Sequence, residues 1–449
     1  NIALIDGGFM AKTRVALISL GCPKNLVNSE QMLYQLCGAG MDIVSEPEQA
    51  DVAVVNTCGF IEAAKSEAIE TIIQLGEIKK HGCLKAIVVA GCLSQRYGEE
   101  IDTELPEVDA ILGTGSYDEI VKAVQTVLKG KRFQSFGDID APISEMGRIV
   151  STAPAYAYLR IAEGCNNCCA YCVIPSLRGK YRSRRMEDIV DEAQALARTG
   201  IKELIVVAQD ITRYGTDIYG RRSLSELIER LCAIDGVEWI RLHYLYPDEF
   251  DDKLMETIAD EDKVVKYLDI PIQHINDTIL RRMNRRGTGR EIRELFSKLR
   301  ERIPGVVLRT SIIVGLPGEG EAEFEELCAF LRETRIERAG VFAFSPEEGT
   351  PAAEMNDRCV EAEALRRQEL IMGIQAEIMD TWGESFKGRK VRVLCEGYDD
   401  ESGLQFGRSF ADSPDIDGVV FFSGECAVGE FADVLIEQVS DGEWYGRQA

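Results

Sequence analysis

Cys165, Cys169 and Cys172 stand in the run Glu163-Gly-Cys-Asn-Asn-Cys-Cys-Ala-Tyr-Cys172, a C-x3-C-x2-C spacing directly behind a strand-like segment. Three thiolates this close in sequence can hold three irons of a 4Fe–4S cluster, whose usual complement is four protein cysteines. The missing ligand leaves one iron open to a small molecule. A structural zinc site normally takes four ligands, and this loop offers a fourth only if Cys168 folds back beside Cys169. A disulfide reading fits poorly, because crowded cysteines in a large chain without a secretory signal are more often metal ligands. Cys168 reads as a spectator at a variable position that could still compete as a ligand.

A second set is spread through the first hundred residues. Residues 14–20, 51–56 and 86–90 read as buried strands, and each is followed almost at once by a cysteine: Cys22, Cys58 and Cys92. Helical patterns near 29–37, 60–79 and 118–128 alternate with these runs, which implies a parallel, doubly wound sheet. In such a sheet the loops after the strands emerge at the carboxyl edge, where ligands bind. The three cysteines are therefore expected to converge and hold a second cluster, rather than to be unrelated core residues. Cys37 ends a helix and Cys83 precedes a strand, so both read as ordinary small residues. Gly113-Thr-Gly115 is a weak glycine signal, since no dinucleotide fingerprint accompanies it.

From Tyr156 the pattern becomes repeated strand–helix units, with strands at 156–161, 203–208, 238–244, 267–270, 306–314 and 340–345. Helices fit at 187–199, 223–233, 251–260, 277–283, 291–301 and 321–334. Six units suggest a partial (β/α)6 barrel whose chemistry lies in loops at the strand carboxyl ends. The cysteine triad occupies such a loop after the first strand. Gln209, Asp210, His243, Gln273 and His274 share that edge, and Arg309 lies within the fifth strand, which ends in Val314-Gly-Leu-Pro-Gly-Glu319.

The chain has 449 residues, 45% of them hydrophobic, and a net charge of −25. That length supports two or three domains with real cores. No apolar run suggests a membrane span and no signal peptide is convincing. Asn1–Phe9 precede Met10 and are set aside as upstream sequence. Fourteen cysteines point to the reducing cytoplasm. A polyanion is a poor default partner for nucleic acid and a good one for a basic protein. Beyond a helix at 360–382, short strands near 391–395, 404–406, 418–422 and 431–436 suggest a small antiparallel barrel. Between Asp380 and Ala449 it carries fifteen Asp/Glu against six Lys/Arg, whereas an RNA-gripping barrel should be basic. The basic stretches Arg178–Arg185 and Arg281–Arg286 could bind RNA phosphate, but pairing with local carboxylates is the default expectation.

The cysteine triad and its barrel resemble the radical S-adenosylmethionine (radical SAM) enzymes. In that family the open iron chelates the amino and carboxylate groups of SAM, and an electron from the cluster cleaves SAM to a 5′-deoxyadenosyl radical that abstracts hydrogen. The resemblance implies that Tyr171 packs near the SAM adenine, that Gln209 and Arg309 contact SAM, and that the Gly-Leu-Pro-Gly turn lies in the SAM-binding region. His243 and His274 receive no role. The last barrel resembles the TRAM module. Together the three parts, covering the chain from Lys12, resemble the methylthiotransferases, which insert sulfur into a C–H bond and methylate it.

By that resemblance Cys165, Cys169 and Cys172 hold the SAM-cleaving cluster. Cys22, Cys58 and Cys92 hold an auxiliary cluster whose open iron carries the sulfur or methylthio group. The implied organisation is an α/β N-terminal domain at 12–145, a radical SAM barrel at 151–380 and a TRAM-like β-barrel at 383–449. Arg178-Gly-Lys-Tyr-Arg-Ser-Arg184, Leu242-His-Tyr-Leu-Tyr-Pro247 and Asp269-Ile-Pro-Ile-Gln-His-Ile-Asn276 resemble the protein-modifying, RimO-type branch, which acts on an aspartate β-carbon of small-subunit ribosomal protein S-twelve. The tRNA branch typically reads Leu-Pro-Val-Gln-Ser-Gly-Ser in the last segment. The expected cofactors are two 4Fe–4S clusters and SAM. The expected partners are a basic ribosomal protein or the ribosome and an electron donor such as flavodoxin or ferredoxin, with no membrane and no direct tRNA substrate. A tRNA adenosine (C2) methylthiotransferase is the runner-up, and a non-catalytic iron–sulfur electron carrier comes third.

Overall fold

Six short apolar runs build the first sheet of the computed structural model, which describes residues 12–440 and 442–449. Asn1–Phe9, set aside above, lie outside the described residues. The strands are β1 (Arg14–Ser19), β2 (Asp42–Val44), β3 (Val52–Thr57), β4 (Ala86–Gly91), β5 (Ala110–Leu112) and β6 (Phe133–Ser135). All pairs are parallel, in the order β2-β1-β3-β4-β5-β6. The connecting helices are α1 (Pro23–Gly38), α2 (Glu62–His81), α3 (Cys92–Glu104) and α4 (Ile120–Val127).

Because side chains alternate along a strand, successive residues serve opposite cores. Val15, Val52, Val54 and Val88 pack with Met32 and Leu36 of α1 and with Ile120 and Val124 of α4. Ala16, Ala53, Val55, Ile87 and Val89 pack with Ala68 and Ile72 of α2 and with Ile101 of α3. Each fully buried valine contributes about 1.5–3 kcal/mol of hydrophobic stabilisation. The sheet is thus covered on both faces, which is why its strands read as continuous apolar runs.

Helix α1 begins six residues earlier than its expected start at 29. Pro23 presets the first helical φ, and the first turns bury Lys24, Asn25, Asn28, Ser29 and Glu30. These polar residues hide the helix from a hydrophobic-periodicity reading.

Tyr156 opens a second sheet. Its strands are β7 (Tyr156–Arg160), β10 (Glu203–Val207), β11 (Trp239–Leu242), β12 (Val264–Asp269), β13 (Val307–Val314) and β14 (Arg338–Ala343), parallel and in sequence order. A short antiparallel pair, β8 (Ala162–Glu163) with β9 (Arg182–Ser183), precedes β10 in the chain. Helices α5 (Ile174–Arg178), α6 (Met186–Arg198), α7 (Leu224–Cys232), α8 (Asp252–Asp260), α9 (Asp277–Arg282), α10 (Gly289–Arg302) and α11 (Glu321–Thr334) lie between them, and α12 (Glu361–Glu384) follows. Thr288 caps α10 in a reciprocal box with Glu291, satisfying amides that the helix itself cannot.

The chain ends in a closed barrel of β15 (Lys390–Asp399), β16 (Leu404–Ser409), β17 (Val420–Ser423), β18 (Phe431–Ser440) and β19 (Glu443–Gln448). It is not wholly antiparallel: β17 and β19 run parallel. The barrel shares a core with the central sheet, where Trp239, Val265, Tyr267 and Val307 join Val391, Val393, Phe422 and Trp444. Polar contacts reinforce it. Glu203 accepts from Arg241 at 2.7 Å and from Arg408 at 2.6 Å, all three buried. Burial alone would raise the Glu203 carboxyl, but the two guanidiniums outweigh it and hold it low.

The chain divides into two compact units. One is residues 12–151 with Ser176–Gly179, and the other is residues 152–175 with Lys180–Ala449. Among the described residues no helix is long and apolar enough to cross a membrane.

Candidate functional site

In the second unit the cysteine triad lies on the loop after β8. Cys165, Cys169 and Cys172 are half-buried and Cys168 is exposed. Cys168 adopts φ 50°, a left-handed conformation that costs a side-chain-bearing residue energy, and its carbonyl accepts from Asn284 Nδ2 at 2.8 Å. The loop turns there, which explains a cysteine at a position that presents it to solvent. Asn167 Nδ2 donates to Asp210 Oδ2 at 2.9 Å, and Asn166 Oδ1 accepts from the Tyr181 amide at 3.0 Å.

Burial pushes the Cys165 thiol up to about 11. Burial, and then the neighbouring Cys169, pushes Cys172 up to about 12. Cys165 and Cys172 are therefore poorly hydrated thiols, a state relieved by cationic metal. Two further groups meet Cys169: the Arg285 guanidinium and the Tyr246 hydroxyl, each 3.8 Å from Sγ. Arg285 stacks over the Tyr246 ring at 4.2 Å. Neither contact was legible in the sequence, where Arg285 read as one member of a basic stretch. Two others of that stretch do pair with carboxylates, Arg282 with Asp357 at 2.7 Å and Arg286 with Glu249 at 2.9 Å. Among the described residues no three His, Cys, Asp or Glu side chains gather on a single metal ion. A cluster asks for something else, since each cysteine binds a different iron.

The expected SAM-facing residues divide. Tyr171 joins Ala170 and Leu316 of the Gly-Leu-Pro-Gly turn in one apolar cluster, with Ile313 alongside. Gln209 Nε2 donates to Glu163 Oε1 at 2.7 Å, which places it beside the start of the cysteine loop. Its Oε1 is buried with no hydrogen-bond partner, an acceptor that asks for a donor. Arg309 is already engaged, with Asp269 at 2.8 Å and Asp417 of the C-terminal barrel at 3.8 Å. It precedes Ile313 by four residues on the same side of β13, about 13 Å along a strand. His243 Nε2 meets Ser413 Oγ at 2.9 Å. His274 Nδ1 accepts from the Asn276 amide, and its Nε2 lies 3.6 Å from Glu319 Oε2. Glu319 in turn accepts from the Gly315 amide at 2.9 Å, so this carboxylate braces the glycine turn. Burial first, then Arg367, drives His274 down to about 3, leaving it neutral.

In the first unit the strand order reverses between β1 and β3, and ligands of open α/β sheets bind at such a point. Cys22 follows β1 and caps α1, Cys58 follows β3, and Cys92 opens α3 after β4. The loops approach until only glycine fits. A Cβ on Gly21 (φ 90°) would lie 2.7 Å from Cys58 Cβ, and one on Gly59 would lie 2.8 Å from the Leu93 backbone. Burial, and then Cys22 and Cys92, raises the Cys58 thiol to about 11. The two helix starts direct amides and positive dipole ends toward the same edge, which suits an anionic group. Sequence reading missed Asn25, which ties the loops together: its Nδ2 donates to Leu20 O at 2.8 Å and to Thr57 O at 3.1 Å.

Three family matches cover these parts in turn. Residues 14–113 match the Uncharacterized protein family UPF0004, residues 159–331 the Radical SAM superfamily, and residues 388–449 the TRAM domain. A ribosomal protein uS12 methylthiotransferase RimO from Lachnoclostridium phytofermentans is 47% identical over 437 residues, covering 96% of this chain and 99% of the relative. The RimO of Caldanaerobacter subterraneus is 49% identical, covering 94% and 97%. Among solved structures, the radical SAM methyltransferase TsrM from Kitasatospora setae, with cobalamin and a 4Fe–4S cluster bound, superposes with a TM-score of 0.55 at 15% identity, over 76% of this chain and 77% of that one. That likeness concerns the fold alone. Near-full-length identity and the three matched segments agree, and the chain belongs to the RimO family of radical SAM methylthiotransferases.

Proposed function

We propose that this enzyme adds a methylthio group to the β-carbon of an aspartate in ribosomal protein uS12. The observation that carries this reading is the 47% identity to a uS12 methylthiotransferase over 96% of the chain. A 4Fe–4S cluster and SAM supply radical chemistry for hydrogen abstraction, and a second cluster supplies the sulfur. Cys165, Cys169 and Cys172 are assigned to the first cluster, and Cys22, Cys58 and Cys92 to the second. Arg285 and Tyr246 place a cation and a hydroxyl against the Cys169 sulfur, stabilising negative charge there. Tyr171 offers its ring beside the glycine turn, and Gln209 offers its unpartnered Oε1 to a donor on SAM. Arg309 holds Asp269 through Nη1 and faces Asp417 through Nε, and its remaining Nη2 is the group proposed to contact SAM.

The substrate reading draws support from charge. Asp400, Glu401, Asp415, Glu425, Asp433 and Glu437 of the last barrel are exposed, while Arg392 and Arg447 pair with Glu238 and Glu437. Such a surface suits a basic protein and repels phosphate. A flavodoxin or ferredoxin is the proposed electron source. The cytoplasm is the proposed compartment, since no cysteine among the described residues forms a disulfide.

The test offers reconstituted, reduced enzyme with SAM and sulfide both uS12 and bulk tRNA, followed by mass spectrometry. A methylthio group on a uS12 aspartate is expected. A gain on tRNA adenosine alone would move the chain to the tRNA branch.

A further inference from the structure

Arg178 belongs to a basic stretch of which two members pair with carboxylates, Arg184 with Glu192 at 2.6 Å and Arg185 with Glu187 at 3.9 Å. Arg178 is 4% exposed and lies in the Ser176–Gly179 segment that groups with the first unit. Thr114 Oγ1 holds that segment through Leu177 O at 2.5 Å, which gives the Gly113-Thr-Gly115 turn its use. Arg178 donates Nη1 to Asn28 Oδ1 and Nη2 to Asn25 Oδ1, both at 2.8 Å, and faces the Tyr117 ring at 5.9 Å.

Asn25 is the joint. While its Oδ1 receives the guanidinium, its Nδ2 grips Leu20 O and Thr57 O, the backbone two residues before Cys22 and one before Cys58. Asn56 Nδ2 secures the Asn25 carbonyl at 2.8 Å. The buried guanidinium is thus one side chain away from the backbone that carries Cys22 and Cys58. A buried cation held this near the cysteine loops lowers the energy of negative charge placed there.

We propose that Arg178 is a positioning residue that compensates the negative charge of the sulfur-carrying cluster on Cys22, Cys58 and Cys92. The proposal rests on the second-cluster reading. A fixed cation favours the more negative state of whatever it faces, so Arg178 makes this cluster easier to reduce and retains anionic sulfur on it. Arg178 follows Cys172 by six residues. The segment that carries the SAM-cleaving triad thus also carries the charge that tunes the other site.

The test uses the full-length C165A/C169A/C172A protein, so that only the first-unit site loads iron. Its midpoint potential is measured by EPR-monitored redox titration with Arg178 intact, with Arg178→Lys and with Arg178→Gln. Arg178→Gln is expected to shift the reduction equilibrium about tenfold toward the oxidised form, about 59 mV for one electron, and Arg178→Lys to restore most of it. Asn28→Asp, which sets a carboxylate on the guanidinium without removing it, should shift it the same way by less and covers the case that Arg178→Gln fails to fold. Equal potentials in all loaded variants would overturn the proposal while leaving the cluster standing. No iron in the parent triple variant would remove the cluster, and the proposal with it.

Discussion

Cys165, Cys169 and Cys172 are gathered by eight residues of one loop, whereas Cys22, Cys58 and Cys92 are gathered by three loops, 36 and 34 residues apart. The local set can be read from spacing, because chain connectivity alone keeps the thiols together. What the loop needs from elsewhere is charge and shape, and these come from Arg285, Tyr246 and Asp210. The dispersed set has the reverse requirement. Its thiols meet only if a whole sheet folds in register, and the sheet edge must be tight enough that Gly21 and Gly59 have no room for a side chain. On the proposed assignment, one site depends on sequence proximity and the other on topology.

That difference can be broken from either side. The largest effect is expected from C165A/C169A/C172A: SAM cleavage should fall below detection while iron remains in the first unit, as measured by 5′-deoxyadenosine release and iron content. Gly21→Ala comes next. A left-handed conformation and a Cβ 2.7 Å from Cys58 should cost about 2–4 kcal/mol, read as a lower melting temperature and lost iron in the first unit. Gly287→Ala has a similar φ but meets nothing nearer than 3.6 Å. It should cost only the strain, about 1–2 kcal/mol.

Arg285→Gln removes the cation beside Cys169 and should slow single-turnover SAM cleavage about tenfold, the lower end for a charged hydrogen bond. pH acts on both sites. With Cys58 and Cys165 near 11 and Cys172 near 12, iron must displace protons, so loading during reconstitution should rise from pH 7 to 9. These folded-state values exceed the ordinary thiol value of 9.0. Their stabilisation of the apoprotein is therefore fully present below pH 9 and is lost as pH rises through 11 and 12, which melting curves would show. The smallest effect is Cys168→Ala, which should leave iron content and SAM cleavage unchanged; a lost cluster would make Cys168 a ligand.

Much of the fold was legible because two-sided burial writes strands as apolar runs. β3 and β4 fall within a residue of where they were expected. The three-residue strands β2, β5 and β6 are too short to show a period, and β19, with the sequence Glu-Trp-Tyr-Gly-Arg-Gln, carries one deeply buried side chain, Trp444. The early turns of α1 were missed because Asn25, Asn28 and Glu30 are polar and buried. Asn25 ties the cysteine loops, Asn28 holds Arg178 and Glu30 anchors Arg148 and Ser151, so the departure from pattern marks buried polar structure. The burial of Arg178 and Arg285 was not legible. Each looked like its cationic neighbours, and only folding shows which cation is buried, Arg285 against the Cys169 sulfur and Arg178 against Asn25 and Asn28, and which meets a surface carboxylate.

The most direct test of two sites with divided labour is C22A/C58A/C92A, assayed for 5′-deoxyadenosine and for methylthio-aspartate on uS12 in one reaction. SAM cleavage should persist while methylthio transfer disappears. Undiminished methylthio transfer by this variant would contradict the assignment of those three cysteines to sulfur delivery.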